Sequence, residues 1–119
     1  MRLPLAPVPA SSPPPTQPLT HVVLFKLQDR SPQQVARAVE VVRSMAGKIS
    51  TLRDLEVGAN VTSSPRAYDL ALVARFDSQA DLQAYQTHPI HQEVLEYLHG
   101  VMAETVSVDY ISPAPAGEV

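Results

Sequence analysis

The chain has 119 residues, of which 45% are hydrophobic and 18% charged, and it contains neither cysteine nor tryptophan. That length predicts one globular domain, and the lack of cysteine excludes disulfides, thiolate catalysis and cysteine-ligated metals. The net charge of −3 and the few aromatic residues argue against nucleic-acid binding, which needs clustered Lys and Arg or stacking platforms.

Both ends of the sequence differ in composition from its centre. Seven of the 12 prolines lie within residues 1–18, where they disfavour helices and sheet ladders. We therefore predict a Pro-rich disordered tail at 1–19, a folded domain at 20–111 and a C-terminal tail at 112–119. A polyproline ligand for a partner domain is the alternative interpretation of the first tail. Without a membrane-length apolar run or a convincing export signal, we expect a cytoplasmic location and no membrane contact.

Hydrophobic periodicity indicates the first two elements. The apolar, β-branched run at 21–28 predicts a strand. Ser31 and Pro32 are typical of a helix N-cap and first helical residue, and Gln34 is placed to complete a capping box. The apolar stripe behind them continues to Ile49, which predicts a helix of about four turns.

A hairpin is predicted next. Alternating apolar residues at 55–61 and 68–76 predict the second and third strands, and the turn residues at 63–66 connect them. Because this connection is short, the two strands are expected to pair antiparallel.

The last part of the domain is predicted to return to helix and then strand. Ser78 is a candidate N-cap, Pro89 interrupts the helix and restarts it, and Gly100 is placed to end it. A final strand is predicted at 105–111. The order β-α-β-β-α-β predicts a ferredoxin-like α+β fold, with helices on one face of a four-stranded antiparallel sheet.

The first and third predicted strands carry apolar residues on both faces. In the first strand, one side holds His21, Val23, Phe25 and Leu27 and the other holds Val22, Leu24 and Lys26; in the third strand, Leu70 and Leu72 lie opposite Ala71 and Val73. A lone two-layer domain would have polar residues on its open face. We therefore predict a homodimer in which two sheets pack face to face into a barrel. The alternative is that these are ordinary isolated apolar residues on a surface.

The densest group of polar residues with catalytic potential is the segment 85–91. His88 would cap the helix restarted at Pro89, and His91 would lie in its first turn. A helix N-terminus disfavours a cationic imidazole, so a histidine there is suited to act as a general base. The Tyr85 hydroxyl could donate to a carbonyl or enolate oxygen. The alternative interpretation is structural, with His88 only a cap and with His91 and Tyr85 at the edge of the core.

Metals and cofactors have little support in the sequence. His88, His91 and His21 could form a zinc site, but no HExxH motif or supporting acidic pattern accompanies them. No glycine-rich phosphate loop or nucleotide fingerprint occurs among the four glycines. We expect neither a metal nor a cofactor.

Segments across residues 20–111 resemble the stress-responsive A/B barrel (Dabb) family. The matching segments, in the family's order, are 21–27, 55–60, 68–72 with Phe76, 82–91 and 106–110. The motif Tyr-x-x-His-Pro-x-His, from Tyr85 to His91, is the most specific of them. The resemblance implies a dimeric α+β barrel associated with stress responses, with no assigned activity for most members.

One plant member of this family is a polyketide cyclase that works without a cofactor. Its base and its hydrogen-bonding tyrosine match His91 and Tyr85, and a histidine on its first strand matches His21. A further histidine on its third strand aligns with Leu70, which departs from that pattern.

Three functional hypotheses remain. The first is a homodimer that binds a small apolar carbonyl or aromatic ligand. Residues expected at that binding site are His21, Phe25, Leu70, Leu82 and His88. The second is a cofactor-free acid–base enzyme in which His91 removes a proton next to a carbonyl and Tyr85 holds the oxyanion. The third is an antibiotic-biosynthesis-type monooxygenase of the same barrel architecture, which the few aromatic residues disfavour.

Overall fold

A computed structural model describes residues 17–113, which form four strands and three helices. In chain order these are β1 (Leu19–Leu27), α1 (Pro32–Arg43), β2 (Asp54–Ala59), β3 (Leu70–Phe76), α2 (Gln79–Gln86), α3 (Pro89–Val101) and β4 (Met102–Ile111). The strands form an antiparallel sheet in the order β2-β3-β1-β4. The predicted ferredoxin-like α+β fold is therefore confirmed. No helix within 17–113 is long and apolar enough to cross a membrane.

The two ends of the described region lie side by side. The Ser112 N–H donates to the Pro18 carbonyl at 2.8 Å, and the Thr20 and Ser112 hydroxyls are 2.6 Å apart. Leu19 begins β1 and is only 4% exposed, so the fold starts one residue before the expected boundary. The rest of the two expected tails, residues 1–16 and 114–119, lies outside the described residues.

Local hydrogen bonds explain where the helices begin. The Ser31 hydroxyl accepts from the Gln34 N–H at 3.4 Å, and the Ser78 hydroxyl accepts from the Asp81 N–H at 3.1 Å. Both bonds satisfy N–H groups that a first turn leaves free. In the expected capping box, the Gln34 side chain would accept from the Ser31 N–H. The Asp29 carboxylate takes that role instead, accepting from the Ser31 N–H at 3.0 Å.

α1 ends at Arg43, which is earlier than its apolar stripe indicates. The Ser44 hydroxyl donates to a carbonyl of the last turn at 2.6 Å. The chain then passes through Gly47 at φ 80°, a conformation that favours glycine. Met45 and Ile49 are 1% and 3% exposed, so this turn packs the rest of the stripe against the core without continuing the helix.

The strand ends also differ from the sequence pattern. β2 ends at Ala59, and Val61, which the alternation places on the inward face, is 93% exposed. The side chain of Asn60 bonds to Thr62 at this point, so the chain turns away from the sheet. β4 begins at Met102 directly after α3, without a helix end at Gly100.

The centre of the sheet face opposite the helices is apolar, and charged residues such as Glu56, Arg75 and Lys26 lie around it. The register places Val22 beside Val73 and Val108, and Leu24 beside Ala71 and Val106. We call this surface the helix-free face, which comprises Val22, Leu24, Ala71, Val73, Val106, Val108 and Tyr110. The three β4 residues among them are 44–55% exposed. The predicted two-faced character of β1 and β3 is therefore confirmed.

A buried carboxylate joins β1 to the start of β3. Asp69 is 7% exposed, and its carboxylate accepts from the Leu27 N–H at 2.8 Å and from Arg30 Nε at 3.0 Å. We expect Asp69→Ala to lower the free energy of unfolding by about 2 kcal/mol, because it leaves the buried Leu27 N–H without an acceptor, whereas Arg30 still donates to the Ala67 carbonyl. Urea denaturation measures this loss.

Arg30→Ala is the matched control for that experiment. The Arg30 side chain is 46% exposed, so its contribution is screened by solvent and we expect a loss of about 1 kcal/mol or less. Equal urea midpoints for the wild type and Asp69→Ala would contradict the role given to Asp69.

Candidate functional site

A cavity of about 250 Å³ lies between the sheet and the helices. His21, Val23 and Phe25 line it from β1, and Tyr85 and His91 line it from α2 and α3. Its other walls are mostly apolar and include Val42, Leu72, Val94, Leu95 and Leu98. The cavity therefore combines apolar walls with three groups capable of acid–base chemistry or hydrogen bonding.

Tyr85 lies between the two histidines of the cavity. Its ring centroid is 4.5 Å from that of His91 and 6.1 Å from that of His21. The break between α2 and α3 produces this arrangement, because Pro89 starts a new helix whose first turn carries His91 back beside the end of α2. Tyr85 and His91 are therefore adjacent, as the sequence analysis expects.

Burial keeps His91 neutral. Its pKa is lowered from 6.5 mainly by burial, the Gln86 backbone acts in the opposite direction, and the charge of His21 lowers it further. Its Nδ1 atom is buried without a hydrogen-bond partner in the described part of the chain. A neutral imidazole with an unused nitrogen is able to accept a proton or a hydrogen bond from a ligand.

Burial raises the pKa of Tyr85, whereas it lowers that of His91, because in each case it disfavours the charged form. The side chain is 1% exposed, and desolvation raises the pKa of its phenol well above the ordinary value of 10. The hydroxyl therefore stays protonated at neutral pH and is available as a donor. Beside His91, this gives a donor next to an acceptor.

His21 is oriented by a residue that the sequence analysis missed. Its Nδ1 is hydrogen-bonded to the Asp109 carboxylate, and the two residues are directly opposite each other in the β1–β4 register. This bond leaves Nε2 as the ring nitrogen available to a ligand. In the sequence, Asp109 belongs to the last predicted strand and to the matching segment 106–110, but neither identifies His21 as its neighbour until the register is known.

Three other expected binding residues do not line the cavity. His88 is the N-cap of α3, and its Nδ1 accepts from the Ile90 N–H at 3.0 Å. This agrees with the alternative interpretation in which His88 only caps the helix. Leu70 is 2% exposed in the core at the β2 side of the sheet, where it pairs with Ala59. Leu82 is buried one turn before Tyr85 on α2. Within residues 17–113, no group of three or more His, Asp and Glu side chains is placed to hold a metal ion.

The lowered pKa of His91 makes a testable prediction. We expect an NMR titration of its ring protons to give a midpoint below 6.5. Because the unfolded chain binds this proton near pH 6.5 and the folded chain does not, the contribution of His91 to stability is complete above pH 6.5. That contribution is lost as the pH falls through 6.5 towards the lowered pKa.

The controls for this titration come from the same helix. His91→Gln removes this part of the pH dependence, whereas His99→Gln, on the exposed last turn of α3, leaves it in place. A His91 midpoint at or above 6.5 would show that the imidazole is not held neutral by burial.

Two curated proteins are similar to this chain. SCO4036 of Streptomyces coelicolor, described as uncharacterized, is 39% identical over 77 residues, covering 62% of this chain and 79% of that protein. A stress-response A/B barrel domain-containing protein of Arabidopsis thaliana is 28% identical over 118 residues, covering 92% of this chain. The chain spans only 43% of the length of this plant relative.

Solved structures share the fold. A dimeric protein of unknown function with a ferredoxin-like fold from Bacteroides fragilis aligns with a TM-score of 0.70 and 31% identity, covering 81% of this chain and 97% of that one. A dimeric ferredoxin-like protein of unknown function from Thermobifida fusca aligns with a TM-score of 0.71 and 28% identity, covering 80% and 91%.

Two enzymes have the same fold at lower identity. Hydroxynitrile lyase from Passiflora edulis aligns with a TM-score of 0.72 and 16% identity, covering 86% of this chain and 98% of that one. SnoaB, a cofactor-independent oxygenase from Streptomyces nogalater, aligns with a TM-score of 0.66 and 8% identity, covering 86% and 99%. At these identities the likeness shows the fold alone.

The family match covers the whole described fold. The model of the stress responsive A/B barrel domain matches residues 19–112, which contain β1 to β4 and the segment from Tyr85 to His91. The resemblance indicated by the sequence motifs is therefore confirmed, and the chain belongs to the stress-responsive A/B barrel (Dabb) domain family.

Proposed function

We propose that this protein is a homodimer in which each protomer binds a small, hydrophobic carbonyl or aromatic ligand. The observation that carries the proposal is the cavity of about 250 Å³, with apolar walls around His21, Tyr85 and His91. Sites for small molecules are typically concave and apolar, with a few polar groups that fix the orientation of the ligand.

The helix-free face supports the dimer. Val106, Val108 and Tyr110 are large side chains that remain about half exposed in one chain, next to Val22 and Leu24. Covering such a patch with a second copy removes apolar surface from water. The related proteins of Bacteroides fragilis and Thermobifida fusca are both described as dimeric.

Thermal denaturation with a panel of aromatic ketones and phenols tests the binding proposal. A ligand at one hundred times its Kd is expected to stabilise the folded protein by about 2.7 kcal/mol. Leu95→Phe, which fills the cavity, is expected to abolish this stabilisation, and Glu93→Gln on the exposed side of α3 is expected to retain it. Stabilisation that survives Leu95→Phe, or a panel without any stabilising compound, would contradict the proposal.

Acid–base catalysis is the second candidate, favoured by the unpartnered Nδ1 of His91 beside Tyr85. In this reaction His91 takes a proton from the carbon next to a carbonyl, and the C–H electron pair forms an enolate. The Tyr85 hydroxyl donates to the enolate oxygen. The enolate carbon then attacks a second carbonyl, and the resulting alkoxide takes the proton back from His91. The monooxygenase alternative stays a prediction, since the likeness to SnoaB extends only to the fold.

A further inference from the structure

One side of the cavity carries two hydroxyl side chains. Thr105 and Ser107 of β4 line it, and the register pairs them with Phe25 and Val23, which also line it. Residues opposite each other in adjacent strands share a face of the sheet, so all four side chains lie on the face that carries the helices. The alternation of β4 thus places Thr105 and Ser107 on the cavity side, and Val106, which the register assigns to the helix-free face, also borders the cavity at this edge strand.

Apart from His91, the α3 side of the cavity is apolar. Val94, Leu95 and Leu98 of α3 line that side. Thr105 and Ser107 are exposed, whereas the nearby Phe25 is 6% exposed, so the hydroxyls lie at the open side of the cavity. Two residues along a strand are separated by roughly 6.6–6.8 Å, which spaces the hydroxyls along one edge of a small ring compound.

We infer that Thr105 and Ser107 determine the specificity of this site, which takes a ring compound with oxygen substituents along one edge. The oxygen-bearing edge faces β4, and the hydrocarbon part of the ring packs against α3. This inference rests on the proposed function, because it requires that the cavity bind a ligand. A ligand without oxygens on that edge would displace water from both hydroxyls and return no hydrogen bond to them.

Two probes of similar shape test the inference. The hydroxyls of 2,7-dihydroxynaphthalene lie on one long edge of the ring system, and 2,7-dimethylnaphthalene carries methyl groups at the same positions. Because the chain has no tryptophan, naphthalene fluorescence can be titrated directly. We expect Thr105→Val and Ser107→Ala each to raise the Kd of the dihydroxy probe by about threefold to tenfold. The Kd of the dimethyl probe should change little.

The conservative variant and an outside control separate hydrogen bonding from packing. Thr105→Ser keeps the hydroxyl and is expected to keep the affinity for the dihydroxy probe. Thr62→Val, in the turn after β2, is expected to change neither affinity. If both probes bind but the variants affect them equally or not at all, the inference is wrong and the proposed function stands. If the panel of ketones and phenols stabilises the wild type but neither probe binds, this inference is wrong and the proposed function stands; if neither the panel nor the probes bind, both are contradicted.

Discussion

Val108→Asp is expected to convert the protein from a dimer to a monomer. Val108 is 55% exposed in one chain and lies beside Val22 on the helix-free face. In a symmetric dimer the substitution occurs twice, and each copy would bury a carboxylate among apolar side chains without a partner. We expect the dissociation constant to rise at least about a hundredfold, measured by sedimentation equilibrium.

Val61→Asp is the matched control for this substitution. It introduces the same charge on a valine that is 93% exposed in the turn after β2, so the dimer should be unaffected. Dimers of unchanged stability in Val108→Asp would mean that the helix-free face does not form the interface.

His91→Gln is expected to have the largest effect on any proton transfer in the cavity. A positioned general base contributes about 10² to 10⁴ in rate, and glutamine preserves much of the size of histidine without its basicity. Exchange of the methyl protons of acetophenone in D₂O, followed by NMR, measures this step without a product assay. We expect the protein to accelerate the exchange and His91→Gln to remove about 10² to 10⁴ of that acceleration.

His88→Asn is the control, because asparagine is also a good N-cap and His88 does not line the cavity. It should leave the exchange rate and the stability nearly unchanged. Exchange that is equally fast in the wild type and His91→Gln would exclude His91 as the base, and the protein would then be a binding module only.

Local signals predict most of the fold because each acts over a few residues. The cap residues Ser31 and Ser78 and the restart at Pro89 set the helix starts that the structure contains. The alternation in β1 separates His21 and Phe25 from Val22 because a strand directs successive side chains to opposite faces. Helix caps and strand alternation depend on neighbouring residues in the chain, so they can be predicted from the sequence.

The remaining features depend on contacts between distant residues. The bond between His21 and Asp109 joins residues 88 positions apart in the chain, and only the sheet register reveals it. The end of α1 is set by the turn through Gly47, although the apolar stripe continues to Ile49. Val61 continues the alternation of β2 in sequence, but the chain turns away from the sheet after Asn60, whose N–H still donates to the Asp69 carbonyl.

Ligand binding and dimer formation, as proposed, both depend on the alternation of side chains along β1. His21, Val23 and Phe25 face the cavity, while Val22 and Leu24 face the surface proposed to meet a second copy. If the two sheets pack face to face, the cavities of the two protomers remain separate, because each lies on the side of its sheet away from the partner.

Native mass spectrometry of the protein with 2,7-dihydroxynaphthalene tests the assembly and the position of the site together. We expect a species of twice the 12.9 kDa chain mass that carries two ligand molecules, one in each cavity. A single chain at every protein concentration would contradict the dimer. A dimer that saturates with one ligand would place the site between the two sheets, contrary to the proposed site between each sheet and its own helices.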